Sequence, residues 1–211
     1  MKLPRFYPIL DTALLARRGL SVEAAARALL ESGARILQFR HKAHFSRAVY
    51  ETAQAVARLC RQHGAVLIVN DRADIAALLG AGVHLGQHDL PPGEARRLLG
   101  PDILIGYSTH NAEQLAAGSS EPVDYLAIGP IFVTSTKEDP DPLVGVEQLK
   151  RLRTITAKPL VAIGGITRAN ASQVLAAGAD SVAVIGDLYP EPATLPALTS
   201  RINQWREMIA E

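Results

Sequence analysis

The segment Gln38-Phe39-Arg40-His41-Lys42 sets an amide and two cations at alternate positions. In an extended chain, alternation puts Ile36, Gln38 and Arg40 on one face and Leu37 and Phe39 on the other. Lys42 continues the polar line if the strand runs that far. A buried arginine is costly unless paired, so Arg40 needs either an anionic ligand or an internal salt bridge to a neighbouring carboxylate. Its place at a strand end favours the ligand. Two further apolar runs end in Asn70-Asp71 and Gly86-Gln87-His88-Asp89. Two carboxylates that converge can hold Mg²⁺, which prefers hard oxygen ligands and usually shares them with substrate phosphates. Taken singly, Asp71 could cap a helix from Arg72, and Asp89 could serve the turn before Leu90-Pro91-Pro92. Convergence with Arg40 and Lys42 favours the metal pair. His41 and His44 read as solvated loop residues and receive no role.

Four later segments extend the anion-binding theme. In Gly106-Tyr107-Ser108-Thr109-His110, Ser108 could donate to an anion, or Ser108 to His110 could cap the helix from Asn111. No acidic residue is placed to complete a hydrolase triad with Ser108 and His110, and there is no G-x-S-x-G elbow. The run from Gly129 to Lys137 offers two hydroxyls and a cation in Thr134, Thr136 and Lys137, and its continuation to Gly145 makes the longest loop. Such length in an economical chain reads as a lid. Gly164-Gly165 and Ile185-Gly186 supply backbone amides that can approach a phosphate closely.

These residues need a scaffold that carries them to one end. Eight short β-branched runs alternate with helical stretches: Phe6 to Leu10, Ile36 to Arg40, Val66 to Asn70, Val83 to Leu85, Ile103 to Tyr107, Tyr125 to Ile128, Leu160 to Ile163 and Ser181 to Ile185. Between them, Val22 to Glu31, Arg47 to His63 and Ala171 to Ala177 carry apolar residues at helical spacing. Gly33-Ala34-Arg35, Gly80-Ala81-Gly82 and Gly178-Ala179-Asp180 each end a helix before a strand, as left-handed C-caps do. Eight such units in 211 residues predict a single α/β domain over 1–211, a parallel (β/α)₈ TIM barrel, with Ala193 to Glu211 as a closing helix. In that fold, loops after the strands carry the chemistry, and those after strands seven and eight commonly hold phosphate.

Taken in register, six segments resemble the thiamine-phosphate synthase family. They are Gln38 to Lys42, Val69-Asn70-Asp71-Arg72, Gly82-Val83-His84-Leu85-Gly86-Gln87-His88-Asp89-Leu90, Gly106 to His110, Gly129 to Lys137 and Ala162-Ile163-Gly164-Gly165-Ile166. The resemblance implies an enzyme that joins hydroxymethylpyrimidine diphosphate to a thiazole phosphate and releases pyrophosphate. Carried over, it implies that Gln38 and Asn70 contact the pyrimidine or its diphosphate. Arg40, Lys42, Ser108 and Lys137 would hold the diphosphate and act in catalysis, with Asp71 and Asp89 binding Mg²⁺. Thr134 and Thr136 would meet the thiazole, and Gly165, Ile185 and Gly186 its phosphate. Two segments depart from the family pattern: Leu10-Asp11 stands in place of Thr-Asp, and Gly186-Asp187 in place of a serine-bearing turn. Asp187 would bring a negative charge near the expected phosphate.

Net charge of +1 gives no general attraction to nucleic acid or acidic membrane. The lone Cys60 excludes an intrachain disulfide and sits in a helical stretch as a small buried residue. Lys2 and Arg5 precede an apolar run broken by Pro8, Asp11, Arg17 and Arg18, so no secretory signal is expected and the setting is cytoplasmic. The partners expected are the two small substrates, and a homo-oligomer is compatible with the sequence. A thiazole tautomerase would need the thiazole phosphate pocket without the Arg40, Lys42, Asp71 and Asp89 group. A thiamine-phosphate sensor would need neither lid lysine nor metal pair.

Overall fold

The computed structural model describes residues 3–134 and 141–209, and its eight strands form one closed, all-parallel barrel in sequence order. The strands are β1 (Phe6–Asp11), β2 (Ile36–Arg40), β3 (Val66–Asn70), β4 (Gly82–Leu85), β5 (Ile105–Thr109), β6 (Tyr125–Ile128), β7 (Leu160–Ile163) and β8 (Ser181–Val184). Closure is made by β1 against β8, with Tyr7 opposite Ala183. Helices α1 (Thr12–Arg17) and α2 (Val22–Glu31) follow β1, and α3 (Arg47–Gln62), α4 (Ala73–Leu79) and α5 (Pro92–Leu99) follow the next three strands. Then come α6 (Ala112–Ser120), α7 (Gly145–Leu152), α8 (Ala171–Ala176) and the closing α9 (Leu195–Met208). This is the (β/α)₈ architecture that the alternating pattern predicts.

Strand alternation divides the apolar side chains between two layers. Leu37, Phe39, Val69 and Val83 pack outward with the helices, whereas Tyr7, Ile9, Ile36, Ile68, Tyr125 and Val161 fill the barrel. On α3, Ala53, Val56, Ala57 and Cys60 form a buried stripe at helical spacing. Burial also pushes the Cys60 thiol up to about 12, so it is an inert packing residue. Gly33, Gly80 and Gly178 all have positive φ where a helix gives way to a strand. Trp205 on α9 is fully buried and stacks on Phe6, tying the tail to β1. Among the described residues, no helix is long and apolar enough to cross a membrane.

One strand lies two residues later than its sequence suggests. β5 starts at Ile105 rather than Ile103 because the preceding segment is held as a turn. The Arg96 guanidinium donates to the carbonyls of Gly100, Pro101 and Ile103, and Asp124 accepts from the Ile105 amide at 2.7 Å. Ser108 and Thr109 therefore belong to the strand, and the side chain of Ser108 shares the inward face of Gly106.

Candidate active site

Alternation on β2 turns Gln38 and Arg40 inward, as the pattern requires. Parallel pairing sets Asp11 of β1 directly opposite Arg40, and the two form an ion pair. Asp11 also accepts from the Leu14 amide at 2.8 Å, so one carboxylate caps α1 and holds the guanidinium. The internal salt bridge weighed as the alternative for Arg40 is thus present. It orients the guanidinium at the mouth, where its remaining N–H groups can still meet an anion. Beyond the strand, Lys42 reaches Asp71 with Nζ 2.6 Å from Oδ2. His41 bridges Thr12 and the His44 carbonyl, a loop-closing role.

Asp71 does not cap α4. The N-cap position is Arg72, and no side chain caps that helix. Asp71 is instead the one described non-glycine residue with positive φ, 65°, a conformation that costs roughly 1–2 kcal/mol for most side chains. Two backbone bonds hold it there, Asp71 N to His84 O and Arg72 N to Asn70 O, both 2.8 Å. Burial pushes its carboxyl up, Lys42 pulls it down, and the adjacent Asp89 carboxylate pushes it up again. Asp89 keeps its turn role, accepting from the Gly86 amide at 2.6 Å. Two carboxylates forced together are an arrangement that a cation relieves, so the donor set fits a divalent metal. Among the described residues no third His, Cys, Asp or Glu joins them. A hard cation here would take further oxygens from water and phosphate.

The neutral groups of this rim divide into satisfied and unsatisfied. Asn70 is 7% exposed, yet its Nδ2 has no hydrogen-bond partner. A buried donor without a partner costs about 1–3 kcal/mol, so this atom is suited to a ligand acceptor. Gln38 donates to Tyr7 Oη at 3.1 Å, which leaves its amide oxygen for another contact. Ser108 lies 2.8 Å from His84 Nε2, and its carbonyl accepts from Gln87 Nε2 at 2.6 Å. It does not cap α6, because Asn111 performs that task at 2.9 Å. His84, Tyr7 and Tyr125, which carried no assignment from sequence, are buried beneath these groups. Burial pushes the His84 imidazole down to about 4, so it is neutral at physiological pH. The signal that could have revealed them was the inward parity of Tyr7, His84 and Tyr125 on their strands.

On the opposite side, the rim is mainly backbone. Gly164 and Gly165 have φ of 99° and 63°. A Cβ on Gly165 would lie 2.5 Å from the Val133 carbonyl and 2.7 Å from the Phe132 side chain, so glycine is required by loop packing as well as by φ. Phe132 N donates to Gly164 O at 3.0 Å, and Asn170 Nδ2 to Gly165 O at 3.0 Å. After β8 the chain forms a 3₁₀ turn at Gly186–Leu188, with Ile185 immediately before it. Asp187 does not present an unpaired charge. Arg168 Nε lies 3.0 Å from one carboxylate oxygen and Arg201 Nη1 3.5 Å from the other. His110 contacts the Gly129 carbonyl at 2.7 Å and holds the start of the β6 loop. Thr134 is half-buried at the end of the described part of that loop. Thr136 and Lys137 lie outside the described residues, as does the middle of the expected lid.

Comparisons with known proteins point to one family. A model of the family described as "Thiamine monophosphate synthase" matches residues 6–188. The thiamine-phosphate synthase of Koribacter versatilis (strain Ellin345) is 46% identical over 195 residues, 91% of this chain and 92% of the relative. That of Laribacter hongkongensis (strain HLHK9) is 50% identical over 175 residues, 82% of each chain. Among solved structures, thiamine phosphate pyrophosphorylase from Pyrococcus furiosus superposes with a TM-score of 0.83 at 31% identity, covering 97% of this chain and 95% of the other. The family's match spans all eight strands, and its relatives align along most of their own length: this chain belongs to the thiamine monophosphate synthase family.

Proposed function

We propose that the chain is a transferase, a thiamine-phosphate synthase, that joins hydroxymethylpyrimidine diphosphate to a thiazole phosphate and releases pyrophosphate. The observation that carries the reading is the grouping of Lys42, Asp71 and Asp89 beside the unsatisfied Asn70 amide, in a chain of this family. A tautomerase acting on the thiazole alone has no use for that grouping.

In this reading Gln38 and Asn70 orient the pyrimidine. Arg40, Lys42 and Ser108 hold the diphosphate and stabilise the charge that grows on it as the C–O bond breaks. Lys137, assigned from the sequence, would add a cation against the diphosphate from the β6 loop, and Thr136 of the same loop would meet the thiazole with Thr134. Asp71 and Asp89 would hold a divalent metal, for which Mg²⁺ is the natural choice, and when bound it supplies further positive charge against the diphosphate oxygens. Thr134, Gly165, Ile185 and Gly186 position the thiazole phosphate so that its ring nitrogen faces the pyrimidine methylene carbon. The C–O bond breaks first and pyrophosphate takes the electron pair, the aminopyrimidine ring delocalises the resulting cation, and the thiazole nitrogen then forms the new C–N bond. No protein nucleophile is needed, and the main contributions are orientation and charge stabilisation. A cytoplasmic setting suits these free small-molecule substrates, and assembly as a homo-oligomer is compatible with the scheme.

The test is incubation of the protein with both substrates and Mg²⁺, followed by separation of the products. Thiamine phosphate and pyrophosphate in equal amounts are expected. Isomerised thiazole phosphate without pyrophosphate would replace this reading with the tautomerase.

A further inference from the structure

Five polar side chains from five strands are hydrogen-bonded end to end inside the barrel. Gln38 Nε2 donates to Tyr7 Oη at 3.1 Å, and Tyr7 Oη meets Tyr125 Oη at 2.8 Å. Tyr125 Oη lies 3.0 Å from His84 Nδ1, and His84 Nε2 lies 2.8 Å from Ser108 Oγ. Gln38, Tyr7, Tyr125 and His84 are 3%, 1%, 0% and 9% exposed, so water has little access to the chain's interior links. The path is built into the packing. A Cβ on Gly106 would overlap the Tyr125 ring, so that strand position is left bare to let the phenol pass. The Tyr125 ring also stacks on His84, with centroids 5.6 Å apart.

The chain has a direction, fixed by counting hydrogens. Each phenol carries one, and a neutral imidazole carries one on either nitrogen. Tyr7 Oη accepts from the Gln38 amide, and its own buried hydrogen needs an acceptor, which Tyr125 Oη at 2.8 Å supplies. Tyr125 must then donate to His84 Nδ1, which places the imidazole hydrogen on Nε2. His84 donates it to Ser108, and the hydrogen of Ser108 is left for an acceptor outside the chain. If the Gln38 amide turned over, every bond would reverse. Ser108 would then spend its hydrogen on His84 and face a phosphoryl oxygen with lone pairs only.

We propose that Tyr7, Tyr125 and His84 are positioning residues, a directional hydrogen-bond relay through which the orientation of the Gln38 amide sets Ser108 as a donor. The inference rests on the reading of Gln38 as a pyrimidine contact and Ser108 as a diphosphate contact. An amino group on the ring donates to the Gln38 oxygen and so keeps its N–H on Tyr7. A ring bearing an oxo group at that place demands the opposite amide orientation and withdraws the Ser108 donor. Recognition at one end of the substrate is thereby tied to charge stabilisation at the other, some of it paid at the leaving group.

Two measurements test the relay. In protein labelled with ¹⁵N-histidine and without added substrate, long-range ¹H–¹⁵N correlation should show His84 protonated on Nε2. Tyr7→Phe, two links from the imidazole, should give a mixture of both tautomers. Predominant Nδ1–H in the unsubstituted protein would overturn the proposal, as would an unchanged tautomer in both Tyr7→Phe and Tyr125→Phe. For turnover, Tyr7→Phe should lower kcat about tenfold, the size of one hydrogen bond, with KM for the thiazole phosphate unchanged. In a Ser108→Ala background the same substitution should have little further effect, because the relay acts through that hydroxyl. Equal losses in both backgrounds would reduce Tyr7 to a packing residue. The tautomer measurement needs no activity, so failure of the relay and failure of the proposed reaction are separately visible.

Discussion

On the side of the barrel mouth formed by β2 to β5, side chains present the polar groups: Arg40 held by Asp11, Lys42 on Asp71, Asp89 alongside, and an Asn70 amide without a partner. On the side formed by β6 to β8, backbone predominates, with glycines at positive φ packed against the Pro130 to Val133 segment and a 3₁₀ turn at Gly186. Asp187 on that side is turned to Arg168 and Arg201. A diphosphate that must leave as an anion needs strong, adjustable charge, whereas a phosphate that only anchors its substrate can be held by fixed amides. The first side should therefore respond to loss of charge or donors, and the second to changes in backbone shape.

The largest effect is expected at Arg40. Arg40→Ala leaves the 5%-exposed Asp11 carboxylate without its cation, which should cost about 3 kcal/mol of stability, read as a lower urea midpoint. Turnover should fall by roughly 10²–10³, the usual loss for one oriented charge-stabilising group. Unchanged turnover in the folded fraction would leave Arg40 as a structural partner of Asp11 alone. At Asn70 the two effects should separate. Asn70→Ala removes an unsatisfied donor, so thermal stability should hold while turnover drops by about 10². A melting temperature that falls in step with activity would mean that the amide serves the fold.

Across the mouth, Gly165→Ala must move the β6 loop and strain a φ of 63°. KM for the thiazole phosphate should rise about tenfold while that for the pyrimidine diphosphate stays near its original value. An equal rise in both would show that the two sides are not separate sites. Gly186→Ser should do least. Nothing lies within 4 Å of a Cβ there, and its φ is outside the positive region. Affinity for the thiazole phosphate should therefore change by no more than one neutral hydrogen bond, up to about 1.5 kcal/mol, by titration calorimetry. A greater loss would show that the turn itself is shaped by glycine.

The same contrast explains what the sequence made legible. Arg40, Lys42, Asp71 and Asp89 stand out because charged residues after apolar runs are unusual, and β2 alternation correctly faces Gln38 and Arg40 inward. The start of β5 was less clear, since Ile103 and Leu104 look like strand until Arg96 is seen binding the carbonyls before them. Partnerships were the least legible. Asp11 lies opposite Arg40 only through β1–β2 register, and Tyr7, Tyr125 and His84 meet only once the barrel closes. A tyrosine in an apolar run reads as core, and these two are core by burial as well as polar by contact.

The shared metal site is the central claim about the charged side, and a double-mutant cycle on Asp71→Asn and Asp89→Asn tests it most directly. Turnover should be measured across a Mg²⁺ titration for each single variant and the pair. If the carboxylates hold one ion together, either substitution already misplaces it, so the double variant should be little worse than the worse single one. The Mg²⁺ concentration for half-maximal rate should rise in both singles, and a chelator should abolish activity in the parent until Mg²⁺ is restored. Multiplicative losses with full activity in chelator would contradict the shared site, and would leave Asp89 to its turn and Asp71 to its bond with Lys42.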